Sequence, residues 1–129
     1  MNPAIPHNLS RRERQIMDVV YRRGRVSAAT IQAELPDPPS YSAVRAMLSI
    51  LVERGQLRIE SEGARYIYLP VQPKETVGRS AIQNVLQTFF GGSLEQAVEA
   101  LLDSKKDKVT AEEAERIKQL IEQARKGNR

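Results

Sequence analysis

The sequence predicts a mainly α chain that carries one small β-hairpin. Helix-start signatures recur ahead of apolar residues spaced three and four apart, the mark of amphipathic helices. Only two segments alternate like strands, Leu57–Ser61 and Tyr66–Leu69, and the four residues between them contain a glycine. The length of 129 residues, with 40% apolar and 28% charged, suits one compact domain or a small domain with an appendage. Gly and Pro number 7 each, too few for a disordered or collagen-like chain. Aromatics make up 5% and Trp is absent, so the expected core is aliphatic.

Residues 1–8 hold two prolines without periodicity and read as a flexible tail. Ser10-Arg11-Arg12-Glu13 is a capping box, in which the hydroxyl takes an amide at the helix start and the carboxylate reaches back. Ile16, Val19 and Val20 follow on one face, and Gly24 stops this first helix. Ser27 opens a second, with Ala28, Ile31 and Leu35 as its apolar stripe, and Pro36, Pro38 and Pro39 forbid continuation. Ser40 caps a third, running to about Arg54 with Gly55 just past its end. Its expected buried face is Tyr41, Val44, Leu48 and Leu51, and its opposite stripe is Ser42, Arg45, Ala46, Ser49 and Glu53.

Glu62-Gly63-Ala64-Arg65 then forms the hairpin turn, and Pro70 ends the second strand. An isolated hairpin is marginal in water, so Leu57, Ile59, Ile67 and Leu69 are expected to lean on the helices. Three short helices followed by a hairpin is the order of a winged helix-turn-helix, assigned to residues 9–71.

The remainder, 72–129, reads as purely helical. Pro73 suits the first position of a helix containing Val77, Ile82, Val85, Leu86 and Phe89, which Gly91-Gly92 breaks. Ser93-Leu94-Glu95-Gln96 and Thr110-Ala111-Glu112-Glu113 are two more capping boxes, either side of the polar connector Lys105-Lys106-Asp107-Lys108. These helices are too short to close a core alone, yet a clean apolar stripe must be buried against something. They either fold back on the first 70 residues or pack against a second copy of the chain. The second option is favoured, through Ile82, Leu86, Phe89, Leu94, Val98, Leu101, Ile117, Leu120 and Ile121.

Composition excludes several functions. Without cysteine there is no disulfide scaffold, thiol catalysis or thiolate metal site. The single histidine, His7, sits in the proline-flanked tail, and no phosphate-loop pattern occurs. No catalytic residue, metal or cofactor is assigned, and the chain is not expected to be an enzyme. No apolar run long enough to span a bilayer and no signal-peptide pattern are found, so a cytoplasmic protein without membrane insertion is expected. The net charge is +4, and residues 1–71 hold 10 arginines, no lysine and 7 acids. Arginine's planar fork suits phosphates and guanine edges, although a GC-rich genome also favours arginine.

The third helix carries the sharper functional pattern. A helix entering the major groove needs small residues for close approach and a few long donors. Ser42, Ala43, Ala46 and Ser49 around Arg45 meet that need, where an ordinary solvated face carries more Lys and Glu. Ser40 stands where free helix amides can meet a phosphate, and Ser27, the cap of the preceding helix, is counted with it among the DNA-binding candidates. Arg65 at the hairpin turn is expected to touch the sugar-phosphate backbone; Arg58 is equally well explained as surface charge.

In this order the sequence resembles the penicillinase-repressor and methicillin-resistance-repressor family of bacterial transcription regulators. The likeness is carried by Leu9-Ser10, Ile16-Met17, Arg23 to Ser27, Ser40 to Leu51, Glu62 to Tyr68, and Phe89 to Leu94. It implies a repressor that dimerises through its C-terminal helices and binds an inverted-repeat operator. DNA-contacting positions correspond to Ser40, Ser42, Ala43, Arg45 and Ala46, with alanines at two positions where threonines are common. Arg14 replaces a tryptophan of the family and Tyr21 stands where another aromatic is usual. Some members are inactivated by cleavage in the C-terminal region, triggered by a membrane metallopeptidase sensor acting indirectly; the cleaved pair corresponds to Ala100-Leu101. A copper-sensing branch carries a cysteine cluster that this chain lacks. The alternative reading is a winged-helix protein-interaction module that binds no DNA.

Overall fold

A computed structural model describes residues 9–105 and 108–127. His7 and the tail 1–8 lie outside the described residues, as do Lys106 and Asp107 of the polar connector. The elements are α1 (Arg11–Arg23), β1 (Val26–Ser27), α2 (Ala28–Glu34), α3 (Tyr41–Glu53), β2 (Leu57–Glu62), β3 (Arg65–Pro70), α4 (Lys74–Phe90), α5 (Leu94–Ser104) and α6 (Ala111–Arg125). The chain divides into two compact units, and the division falls between Gln83 and Asn84, inside α4.

The helix ends follow the local chemistry of the sequence. Ser10 and Glu13 close a complete capping box on α1, with Glu13 N–H donating to Ser10 Oγ at 3.1 Å and Ser10 N–H to Glu13 Oε1 at 2.9 Å. Glu13 is buried, and its Oε1 also accepts from Arg54 at 3.4 Å, which ties the start of α1 to the end of α3. α3 stops in a Schellman motif: Gln56 N–H reaches Leu51 C=O at 2.9 Å and Gly55 N–H reaches Val52 C=O at 3.0 Å. Gly55 supplies the left-handed conformation that this motif requires, at φ 78°. Ser93 and Thr110 cap α5 and α6 in the same way as Ser27 and Ser40 cap α2 and α3.

The sheet has three strands, in the order β1-β3-β2, all antiparallel. β1 is absent from the hairpin expected from sequence. It exists because β3 passes the chain just ahead of α2, where Val26 pairs with Tyr68 and Ser27 with Ile67. The hairpin is longer than expected, with Glu62 paired to Arg65 across the two-residue loop Gly63-Ala64. Only Gly63 has positive φ, 64°, the pattern of a type II′ turn, whose twist matches the flanking strands.

The core lies among α1, α2, α3 and the base of the sheet. Ile16, Val20, Ile31, Val44, Leu48 and Leu51 are fully buried, joined by Leu9, Val26, Leu57 and Tyr68. Two expected core residues are not in it. Tyr41 is 46% exposed, because the buried stripe of α3 begins one turn later at Val44. Ile59 is 39% exposed, because it sits on the outer strand β2, two residues past Leu57, the β2 residue that reaches the core. Ile67 and Leu69 are buried as expected, but Tyr68, on the other face of β3, is the residue of that strand that joins the main cluster.

Among the described residues, α4, α5 and α6 contain no buried side chain. No described helix is long and apolar enough to cross a membrane.

Candidate nucleic-acid interface

α3 divides cleanly into two faces. Val44, Leu48 and Leu51 point into the core, while Ser42, Arg45, Ala46, Ser49 and Glu53 are exposed and Ala43 is half-buried. The Ser40 hydroxyl accepts from Ala43 N–H at 3.1 Å and lies 3.3 Å from the Ser42 hydroxyl. Both serines therefore stand together at the exposed start of the helix.

The approach to α3 is braced from behind. The Arg12 guanidinium donates to the carbonyls of Pro36 and Asp37, and Gln32 Nε2 donates to Pro39 C=O at 3.0 Å. Asp37 takes a left-handed backbone, φ 50°, which Asp tolerates better than most residues. The proline-rich turn is thus held at three carbonyls, and the start of α3 with it.

Beside α3 the sheet completes a cleft of about 370 Å³, lined by Ser27, Ala28, Ala29, Tyr41, Arg45, Ala64, Arg65, Tyr66 and Tyr68. The sequence singled out Arg45, Arg65 and Ser27 for DNA binding, but not the three tyrosines that share the cleft with them. Tyr41 is one helical turn before Arg45, and the Arg45 Cζ lies 5.9 Å from its ring centroid. Tyr66 reaches the same guanidinium from β3, also at 5.9 Å. Both distances suit cation–π attraction. Side-chain hydrogen bonding to Tyr41 first, then the electrostatic interaction with Tyr68, raises the Arg45 pKa above the ordinary guanidinium value. A period-two count along β3 would have put Tyr66 and Tyr68 on one face; nothing local indicated that this face meets α3.

The arginines of the hairpin are in a different state. Arg65 pairs with Glu62 at 3.2 Å and Arg58 with Glu60 at 2.8 Å, while Arg25 reaches Glu60 at 3.3 Å and Glu62 at 3.4 Å. These guanidiniums hold Glu60 and Glu62 below the usual carboxylate range, Arg58 being the main cause for Glu60 and Arg65 for Glu62. Arg45 forms no ion pair among the described residues. Ser27 is 9% exposed, and its hydroxyl accepts from Thr30 N–H at 3.3 Å and donates to Thr30 Oγ1 at 3.2 Å. Its placement is that of a helix cap at the wall of the cleft.

No group of three or more His, Asp or Glu among the described residues could hold a metal. What the cleft offers is a guanidinium that rests on two rings and has no carboxylate partner among the described residues, beside the small side chains of α3 and the hairpin.

The family model of the penicillinase repressor matches residues 9–123. The chain belongs to the penicillinase repressor family. It is a winged-helix transcriptional repressor, and the family is one of regulators rather than enzymes. A comparison with curated proteins finds no match. The solved structure of RosR from H. salinarum aligns over 94% of this chain and 97% of its own, at 13% identity and a TM-score of 0.46, a likeness too low to bear on function.

Proposed function

We propose that this repressor binds an inverted-repeat operator in double-stranded DNA as a homodimer. α3 lies in the major groove, where Arg45 donates to a guanine edge while Ser42, Ala43 and Ala46 permit close approach. The Ser40 end of the helix meets a phosphate, and Arg65 at the wing tip exchanges Glu62 for the sugar-phosphate backbone. Ser27 contributes from the wall of the cleft by capping α2. The observation that carries this reading is Arg45: a guanidinium without a carboxylate partner among the described residues, set among small residues on the exposed face of α3.

Residues 9–71 serve as the DNA-binding domain and 72–129 as the dimerisation domain. Ile82, Leu86, Phe89, Leu94, Val98, Leu101, Ile117, Leu120 and Ile121 supply the surface for the second copy. A two-fold dimer sets two recognition helices on one face of the duplex, an integral number of turns apart. Cleavage at Ala100-Leu101, within α5, removes part of that surface and releases the operator. A membrane metallopeptidase sensor is the indirect trigger, and the repressor itself is cytoplasmic.

The test compares single variants on operator and unrelated duplexes. Arg45→Ala lowers operator affinity by about 1–3 kcal/mol and narrows the gap to unrelated DNA. Arg65→Ala weakens binding to all duplexes by a similar factor and flattens the slope of log K against log salt. A full chain that shows no salt-dependent binding to any duplex is a protein-interaction module instead.

A further inference from the structure

The wing of a winged helix is ordinarily credited with its own contacts to the nucleic acid. Here its side chains also face inward onto the recognition helix. Tyr66 is the second residue of β3, opposite Ser61 of β2. Two residues on, Tyr68 shares its face and is buried, paired with Ile59 on one side and Val26 on the other. β3 is therefore paired on both edges at Ile67 and Tyr68, directly after Tyr66, which is itself paired with Ser61 of β2, so Tyr66 is anchored beside a doubly paired stretch. Tyr66 is 49% exposed and lies outside the core cluster. Its ring reaches the guanidinium of Arg45, whose Cζ is 5.9 Å from its centroid and 5.9 Å from that of Tyr41.

An arginine side chain has many rotamers, and an exposed one visits most of them. Two rings contributed by different elements restrict that freedom. A side chain already confined near its bound geometry loses less entropy when it meets its target. Tyr41 lies on the same helix as Arg45 and moves with it. Tyr66 belongs to the sheet, so its contact fixes the guanidinium relative to the wing as well as to α3.

We propose that Tyr66 is a specificity-determining positioning residue, which orients Arg45 for base recognition and makes the wing a partner in sequence discrimination as well as in backbone contact. The inference rests on the reading of Arg45 as the base-reading residue. It differs from direct contact between Tyr66 and DNA in what its loss removes. Tyr66 carries no charge, so discrimination falls while the salt dependence stays.

The probe is the duplex that the full-length chain enriches from a randomised library, compared with a scrambled duplex of the same length. Tyr66→Ala should reduce the ratio of the two affinities about two- to fivefold, the range of an exposed cation–π contact, with the salt slope unchanged. Tyr66→Phe keeps the ring and should restore the ratio. In an Arg45→Ala background, Tyr66→Ala should have no further effect on the ratio. Thermal unfolding of each variant shows whether the fold is retained. A Tyr66→Ala variant with the full ratio, or an equal loss with and without Arg45, overturns the proposal while leaving Arg45 in its role. An Arg45→Ala chain that keeps the full ratio, or a wild-type chain that enriches no sequence, overturns the underlying reading instead.

Discussion

Ile16, Ile31, Val44, Leu48 and Leu51, in the unit that ends at Gln83, are fully buried; Phe89, Leu94 and Leu101, in the unit that begins at Asn84, are each more than half exposed. The two units use the same local grammar. Both start helices with Ser or Thr hydroxyls and both carry apolar stripes at helical spacing. They differ in whether the chain supplies a surface for the stripe. In the first unit the helices find one another and the base of the sheet, and fourteen side chains close into one cluster. In the second, α5 and α6 remain 11- and 15-residue helices without buried side chains, lengths at which an isolated helix is marginal. Local signals therefore suffice to make a helix without burying its stripe, and on the proposed reading a second copy supplies the missing surface.

That contrast can be broken most directly by removing the second unit. A fragment ending at Gln72 should keep the cooperative unfolding of the first unit, yet bind operator orders of magnitude more weakly. The tethered second half-site is lost, and with it the high effective concentration. Sedimentation and operator titration against the full chain check this. A monomeric full chain, or a fragment that binds equally well, abolishes the distinction.

Core deletion is the next largest effect. Leu48→Ala, at a fully buried site, should cost the first unit about 2–5 kcal/mol in denaturant unfolding. Leu120→Ala, at an exposed site, should leave that transition in place and raise the concentration at which the chain dimerises. Equal losses from both would mean that the two units unfold as one. A smaller effect follows at the start of α1: Ser10→Ala removes the acceptor of Glu13 N–H and should destabilise the first unit by about 1 kcal/mol. Thr110→Ala should show no such loss in the same measurement.

The smallest effects sit in the wing. Glu60 and Glu62 have lowered pKa values, so they contribute stability above their unfolded pKa and lose it as pH falls through the folded one. The melting temperature of the first unit should therefore drop on acidification below about pH 4.5, and drop less in a Glu60→Gln/Glu62→Gln variant. High salt should shrink the difference, because every partner is exposed. At neutral pH the same variant should bind unrelated duplex severalfold more tightly, since it frees three arginines and removes two negative charges.

Much of this architecture is legible in sequence wherever the determinant is local. Ser10 with Glu13, Ser40, Gly55, and the Gly63 turn each act over three to five residues, and each stands where its chemistry predicts. The failures are non-local. β1 has two residues and no periodicity, and only β3 makes it a strand. Tyr41 continues the spacing of Val44, Leu48 and Leu51, so spacing alone makes it a core residue; its ring instead lies against the Arg45 guanidinium, which Tyr66 also reaches. At the candidate site Arg45 and Arg65 could be picked out by residue type. Their difference could not, because Arg65 is paired with Glu62 across the turn while Arg45 is held between rings from two elements.

The two faces of α3 share no residue. Val44, Leu48 and Leu51 hold the fold, and Ser42, Arg45, Ala46 and Ser49 lie outside it. Exposed positions of this kind usually change stability by no more than about 0.5 kcal/mol when substituted. After gene duplication, a copy of this repressor could thus accumulate changes on its outer stripe without passing through a misfolded intermediate. If the outer stripe reads the operator as proposed, regulatory targets can diverge in this way while the buried stripe keeps the fold. In that sense the helix joins two separable sets of positions on one axis, one that carries the fold and one that does not.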